Sequence, residues 1–313
     1  MALTERLPWI GKDPASVRLV ELAKKVADAP TTLLITGESG TGKDHYARLV
    51  HELGPRRDAP FLKIDCASLP PHLVESELFG HERGAFTGAV ERKLGRLELA
   101  GGGTIVLDEV AALDTAGQAK LLRVLQERAF ERLGGTETLH IEARIVALTN
   151  TDLAAAVAGG RFREDLYFRL NVLTILIPPL RERREDILPL AEHLLATLRV
   201  VHGRPDLTLS EAARRALAAY TWPGNTRELR NALERGVVFS SGATLEPGDF
   251  PETVRTAGGI SGPPAGLRSL EEVEREVIAA TLEATRYRIS KAAAILGISR
   301  KTLLDKRKKY GLK

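Results

Sequence analysis

Cysteine is almost missing from this chain: Cys66 is the only one among 313 residues. No intrachain disulfide can form, so a disulfide-stapled secreted domain is excluded and a reducing compartment is the expected setting. Long apolar runs are missing too. A bilayer-spanning helix needs about 20 apolar residues, whereas the best stretch here, Val172 to Ile177, stops at Pro178-Pro179. The opening MALTERLPWIGKD carries no apolar signal core. Neither a helical membrane span nor a secretory leader is expected, and the expected location is cytoplasmic. No internal repeat occurs. What is present is an ordinary globular composition, 43% hydrophobic and 27% charged, which excludes a disordered or fibrous chain. The length corresponds to roughly two domains of about 150 residues.

Net charge is +4 but unevenly placed. From Arg286 to Lys313 ten Lys/Arg face a single acid, Asp305, so a basic tail follows a mildly acidic body. That asymmetry points to a polyanion bound at the C-terminal end; the plainer reading is a solvated helical surface.

Residues 15–28 have helical apolar spacing. Short apolar runs at 31–36, 61–64, 103–107 and 143–148 read as buried strands, with helical patterns between them such as 116–127. Strands alternating with helices imply a mostly parallel sheet covered on both faces. After Pro178-Pro179 the pattern is helical only, at 184–199, 210–220 and 225–239. Gly258-Gly259 and Pro263-Pro264 mark a linker. The expected organisation is an α/β subdomain at 1–177, a helical subdomain at 178–250, a linker at 251–268 and a small all-α domain at 269–313. The last is short for independent stability, so dimerisation through its first helix is expected.

Gly37-Glu38-Ser39-Gly40-Thr41-Gly42-Lys43 fits G-x-x-x-x-G-K between an expected strand and an expected helix. The glycines let backbone N–H groups close around phosphate oxygens, and the positive end of the helix favours the anion. Lys43 then reaches the β- and γ-phosphates. Asp44 stands where the generic motif has Ser or Thr; a carboxylate is unfavourable beside phosphate unless a metal or water intervenes. Further on, Thr104 to Leu107 runs into Asp108-Glu109. An apolar strand ending in two acids supplies a Mg²⁺ ligand, Asp108, and a group that polarises water, Glu109. Arg163 and Arg169 lie in GGRFREDLYFRLNV. An arginine supplied from outside can stabilise the charge spread during phosphoryl transfer, but spacing alone favours a surface ion-pair cluster with Glu164 and Asp165.

The string ELFGHERGAFTGA (77–89) holds an intact GAFTGA loop, Gly84, Ala85, Phe86, Thr87, Gly88 and Ala89. With GESGTGKD (37–44), GGTIVLDEV (102–110), KLLRVLQERAFERLGG (120–135), FREDLYFRLNV (162–172), PPLRERREDI (178–187) and WPGNTRELRN (222–231), the chain resembles the AAA+ module of sigma-54-dependent transcriptional activators, the NtrC-like enhancer-binding proteins. The likeness covers roughly residues 10–250. SKAAAILGISRKTLLDKRKKYGL (290–312) is similar to the Fis-type helix-turn-helix that commonly follows.

The resemblance implies a fold: an α/β AAA+ P-loop parallel sheet with a helical lid, plus a small all-α helix-turn-helix domain. It implies an activity as well. A hexamer hydrolyses ATP with Mg²⁺ to remodel the closed complex of sigma-54 RNA polymerase into an open one, from double-stranded enhancer DNA bound first as a dimer. Residue by residue, Gly37 to Asp44 become the nucleotide cradle, Asn150 the first sensor of the γ-phosphate and Arg227 a second sensor in the lid. Arg163 and Arg169 become arginine fingers that reach a neighbouring subunit's ATP. Phe86 and Thr87 become loop tips that face the pore and contact sigma-54; on its own terms the loop joins a mobile turn at Gly84 and Gly88 to an apolar anchor and a hydrogen-bonding group.

Four departures stand out. Asp44 replaces the usual Glu. Asp65 stands where an Asn most often restrains the catalytic Glu; if it approached Glu109 the carboxylates would repel, and basal hydrolysis would be restrained differently. Thr151 holds a position often basic, and Tyr287-Arg288 replaces a Gly-Asn pair. Only about ten residues precede the module, where many relatives carry a receiver or sensor domain. The expectation is a separate regulatory protein, constitutive competence, or a fragment of a longer protein.

In the tail, a helix at 290–296, a turn at Gly297-Ile298 and a cap at Ser299 lead into a recognition helix at about 300–310. Arg300, Lys301 and Thr302 are candidates for base or phosphate contacts, and Lys306, Arg307, Lys308 and Lys309 for phosphate contacts. The alternative function is a nucleotide-binding, DNA-bound repressor or architectural oligomer; the intact GAFTGA string argues against it.

Overall fold

A computed structural model describes residues 9–257, positions 275, 278, 279, 281, 282 and 285, and residues 287–310. Of the linker expected at 251–268, residues 258–268 lie outside the described residues, as does most of the first helix expected after it.

Five parallel strands form the central sheet: β1 (Leu33–Thr36), β2 (Phe61–Asp65), β3 (Thr104–Asp108), β4 (Arg144–Thr149) and β5 (Leu173–Leu176), in the order β2-β3-β4-β1-β5. The inner strands are apolar almost throughout because both sheet faces are covered. Strand alternation divides their side chains. Leu33, Ile35, Val106 and Val146 meet Leu19 of helix Pro14–Ala27 and Tyr46 and Val50 of helix Lys43–Leu53 on one face. Leu34, Ile105 and Ile145 meet Leu78, Leu121 and Leu166 on the other. The first four strands follow the expected runs closely. β5 was legible only as the longest apolar run, because its edge position leaves it half-covered.

Parallel strands put every strand's carboxyl end on one edge of the sheet, where ligands of open α/β sheets bind. Gly37 follows β1 there, Asp65 ends β2 in register with Asp108 ending β3, and Asn150 follows β4. Buried Arg144 opens β4 and donates to Ala27 O (2.8 Å) and Val26 O (2.7 Å), closing the C-terminal carbonyls of helix Pro14–Ala27.

The lid has its own core, formed by helices Ile187–Val201, Glu211–Ala219, Asn225–Phe239 and Glu252–Ala257. Val254 packs in it beside Phe250, so lid packing enters the stretch that composition alone assigned to a linker. Trp222 is fully buried at its centre, with its indole N–H donated to Leu217 O (2.9 Å) and its ring edge-on to Tyr220 at 5.0 Å. Its φ of 53° is unfavourable for a bulky side chain and persists because this packing holds it. Trp222→Ala is expected to lower stability by about 3–5 kcal/mol, read as a shift in the urea midpoint.

The C-terminal residues form a separate unit. Helices Ile289–Ile295 and Arg300–Lys309 pack Ala292, Ala293 and Leu303 with Ile278 and Leu282. Gly297 takes φ 65°, as the turn requires. A Cβ there would meet nothing within 4 Å among the described residues, so it is the backbone turn that calls for glycine. No helix among the described residues is long and apolar enough to cross a membrane.

Candidate functional site

The loop after β1 is held open by its glycines. Gly42 takes φ 100° as the residue before helix Lys43–Leu53, whose start has no side-chain cap. A helix start without a side-chain cap is the backbone arrangement that suits an anion. Gly40 takes φ 78°, and a Cβ would lie 2.5 Å from Gly224 O, so the lid backbone lies directly against the loop. Lys43 is buried, and its Nζ donates to Gly37 O (2.9 Å) and Glu38 O (3.1 Å). Burial lowers its pKa, while the nearby Glu109, Asp108 and Asp44 oppose that shift.

Asp108 accepts from the Glu109 N–H at Oδ1 (3.0 Å) and pairs with Lys63 Nζ at Oδ2 (2.7 Å). Lys63 also touches Asp44 Oδ1 (2.7 Å), so one ammonium joins the two acids. Glu109 leaves the strand with φ 50°, and its Oε2 accepts from the Asn150 N–H (3.3 Å). Glu109 and Asn150 thus share one edge of the site. Asp65 does not hydrogen-bond to Glu109: its Oδ1 accepts from Ala67 N (2.9 Å) and Ser68 N (3.1 Å), closing its own turn. The adjacent thiol of Cys66 is pushed up to about 12, by burial first and then by Asp65, Asp108 and Glu109, and is no nucleophile at neutral pH.

The lid reaches the same loop through groups that the motif spacing did not single out. Asn225 accepts from Leu180 N (2.7 Å) and donates to Ser39 O (3.0 Å) and Glu38 Oε2 (3.2 Å). Arg181 grips Glu38 with two bonds, 2.9 and 2.6 Å, the strong bidentate geometry. Arg181 first and Asn225 second hold the Glu38 carboxyl down at about 2. Arg227 Nη1 donates to Ser39 Oγ (2.6 Å), so this lid residue meets the loop. Thr41 accepts from buried Arg183 Nη2 at its carbonyl (2.7 Å).

A cavity of about 370 Å³ lies beside Thr41, Gly42 and His45, closed by Trp9 and Ile10 and by Leu190, His193 and Leu194 of the lid. It is mainly apolar, with the buried Trp9 indole N–H and Arg183 Nε lacking partners among the described residues. Such a space suits a flat heteroaromatic group continuous with the phosphate loop. These residues are far apart in the chain and carry no local signal.

Arg163 and Arg169 are exposed and line none of the cavities that border Glu38, Glu109 and Asn150. Arg163 pairs with Asp165 (Nε–Oδ1 3.0 Å, Nη2–Oδ2 2.8 Å), the surface pair that spacing favoured, while Glu164 takes no part. The Arg169 side chain, on helix Glu164–Leu170, makes no ion pair or hydrogen bond among the described residues. Thr151 Oγ1 donates to Asn150 Oδ1 (3.3 Å), a neutral contact.

The 84–89 loop is closed by Gly84 N to Ala89 O (2.8 Å), with Gly84 and Gly88 at φ 81° and 105°. Ala89 is buried, Ala85 and Phe86 are half-buried and Thr87 is exposed; the Phe86 ring meets His81 edge-on at 4.9 Å. Buried Arg132 anchors the base through Glu82 (2.9 Å), Glu98 (2.8 Å) and Glu137 (2.9 Å). In the C-terminal unit, Ser299 caps its helix by accepting from Thr302 N (3.0 Å), and its hydroxyl lies 2.7 Å from that of Thr302. Arg300 and Lys301 are exposed on the first turn, and Lys306 and Arg307 are half-buried on the next.

Residues 9–176 match the Sigma-54 interaction domain, 181–265 the AAA+ ATPase lid domain and 269–310 the Fis-family bacterial regulatory protein domain. Regulatory protein AtoC of Escherichia coli (strain K12) is 44% identical over 99% of this chain and 70% of its own length. A Nif-specific regulatory protein of Azotobacter vinelandii is 46% identical over 93% of this chain and 56% of its own. The crystal structure of NtrX from Brucella abortus has a TM-score of 0.74 at 34% identity, covering 97% of this chain and 69% of that one; its complex with ATP has 0.72 at 34%, covering 99% and 70%. The first match spans more than half of the chain, and the three matches agree in turn with the P-loop sheet, the lid and the two C-terminal helices: the chain belongs to the sigma-54-dependent transcriptional activators, with an AAA+ α/β body, a helical lid and a Fis-type helix-turn-helix.

Proposed function

We propose that the chain is a mechanical ATPase that activates transcription by sigma-54 RNA polymerase. The observation that carries this is convergence. Lys43, Asp108 and Glu109 gather at the carboxyl edge of the sheet with lid Arg227 laid on the loop, and the same α/β body displays Thr87 on an anchored loop. The uncapped helix start and Lys43 hold the phosphates, and the cavity beside Trp9 takes the adenine. Glu109 orients and polarises the attacking water, next to Asn150, which senses the γ-phosphate.

Asp108 and Asp44 fit a Mg²⁺ role, since they already share one cation, the ammonium of Lys63. When bound, Mg²⁺ neutralises charge on the phosphate oxygens. Arg163 and Arg169 complete the site of a neighbouring subunit, which requires a ring; a hexamer is the family's form. The C-terminal unit binds double-stranded enhancer DNA, with Arg300, Lys301 and Thr302 toward base edges and Lys306 and Arg307 toward phosphates. Ser299 contributes through the cap it makes. A separate regulatory protein and a cytoplasmic setting complete this reading.

The test is transcription in vitro from a sigma-54 promoter with wild type and Thr87→Ala. ATP turnover is expected to persist, while open-complex formation falls about tenfold or more, as for a lost interface hot spot. Equal transcription from both proteins would remove the loop from the mechanism.

A further inference from the structure

Lys63 belongs to no motif, yet it sits at the centre of the acidic edge. It lies on β2 two residues before Asp65, and strand alternation turns both to one face. Its Nζ is 2.7 Å from Asp44 Oδ1 and 2.7 Å from Asp108 Oδ2, so it bridges the start of helix Lys43–Leu53 to the end of β3. Two carboxylates drawn to one point repel unless a cation stands between them. Lys43 is not that cation, because its ammonium is turned to the carbonyls of Gly37 and Glu38. The Lys63 side chain is 38% exposed, and its flexible stem lets the ammonium withdraw into solvent.

We propose that Lys63 is a built-in competitor of the divalent cation: its ammonium neutralises Asp44 and Asp108 in the nucleotide-free protein and is displaced when a metal–nucleotide complex arrives. This rests on the nucleotide reading above. Metal alone then binds weakly, because it must expel a bound ammonium without help from phosphate oxygens. Metal carried by a nucleotide brings those oxygens as extra ligands, so Asp108 is charged with metal only when nucleotide is present. Lys63 acts here as a positioning residue, through Asp44 and Asp108.

The experiment uses the full chain and Mn²⁺ as the probe, with free metal counted by its paramagnetic resonance signal. Wild type without nucleotide is expected to bind Mn²⁺ weakly. Lys63→Met is expected to bind it about tenfold more tightly, a change of about 1.4 kcal/mol. Lys63→Arg keeps the charge and is expected to behave as wild type, which also separates the effect from damage to the strand. Unchanged or weaker Mn²⁺ binding by Lys63→Met overturns the proposal, and so does tightened binding by Lys63→Arg. A fluorescent ADP analogue is titrated in parallel. If it binds wild type but Lys63→Met fails to gain Mn²⁺ affinity, only the Lys63 role falls. If it does not bind at all, the nucleotide reading falls and this inference with it.

Discussion

Glu109→Gln is expected to cut ATP turnover by about two to four orders of magnitude, the contribution of a positioned general base, while nucleotide affinity stays near wild type. Gln preserves the shape of the side chain and can still accept from the Asn150 N–H at its amide oxygen. What it removes is the negative charge proposed to polarise water. Lys43 and the uncapped helix start, the groups proposed to hold the phosphates, are untouched. Single-turnover hydrolysis together with analogue binding separates the two effects. A variant that hydrolyses ATP at the wild-type rate would assign the water to another group.

Arg169→Ala is expected to lower turnover by about a thousandfold, within the range for an arginine finger, and Arg163→Ala to act in the same direction. The sharper measurement is mixing. Neither arginine lines the cavities around Glu38, Glu109 and Asn150 of its own chain. If a neighbour supplies them, an equal mixture of Glu109→Gln and Arg169→Ala chains contains seams that join an intact Glu109 to an intact Arg169. The mixture should then hydrolyse ATP faster than either variant alone. No gain on mixing, under conditions where the chains assemble, would place the arginines outside the reaction. In the proposed finger role Arg163 would first have to leave Asp165, to which it is bidentately bound.

How legible these parts were in the sequence follows from how local their chemistry is. The P-loop and Asp108-Glu109 were readable because a glycine turn and a strand ending in acids are made by neighbouring residues. Trp222-Pro223-Gly224-Asn225 was recognisable as a string, but its effect was not. Asn225 ties Leu180, Ser39 and Glu38 together, and the last two lie nearly the whole length of the module away. Whether Asp65 would approach Glu109 was open from the sequence; its carboxylate closes its own turn through two nearby N–H groups and makes no hydrogen bond to Glu109. Phe86 and Thr87 are both expected at the loop tip; the packing distinguishes them, with Phe86 half-buried on His81 and Thr87 exposed.

The sequence alone determined the strands of the inner sheet, the phosphate loop, the paired acids, the GAFTGA string and the basic C-terminal helix. Each depends on periodicity, φ preference or charge within a few residues. Only the tertiary structure decided that Lys63 stands between Asp44 and Asp108, that Arg181 and Asn225 latch the lid to Glu38, and that Trp9 and the lid enclose a cavity beside the loop. Those contacts join residues far apart in the chain. Their distances are set by how the sheet and the lid pack, and side-chain spacing along the sequence carries no record of that.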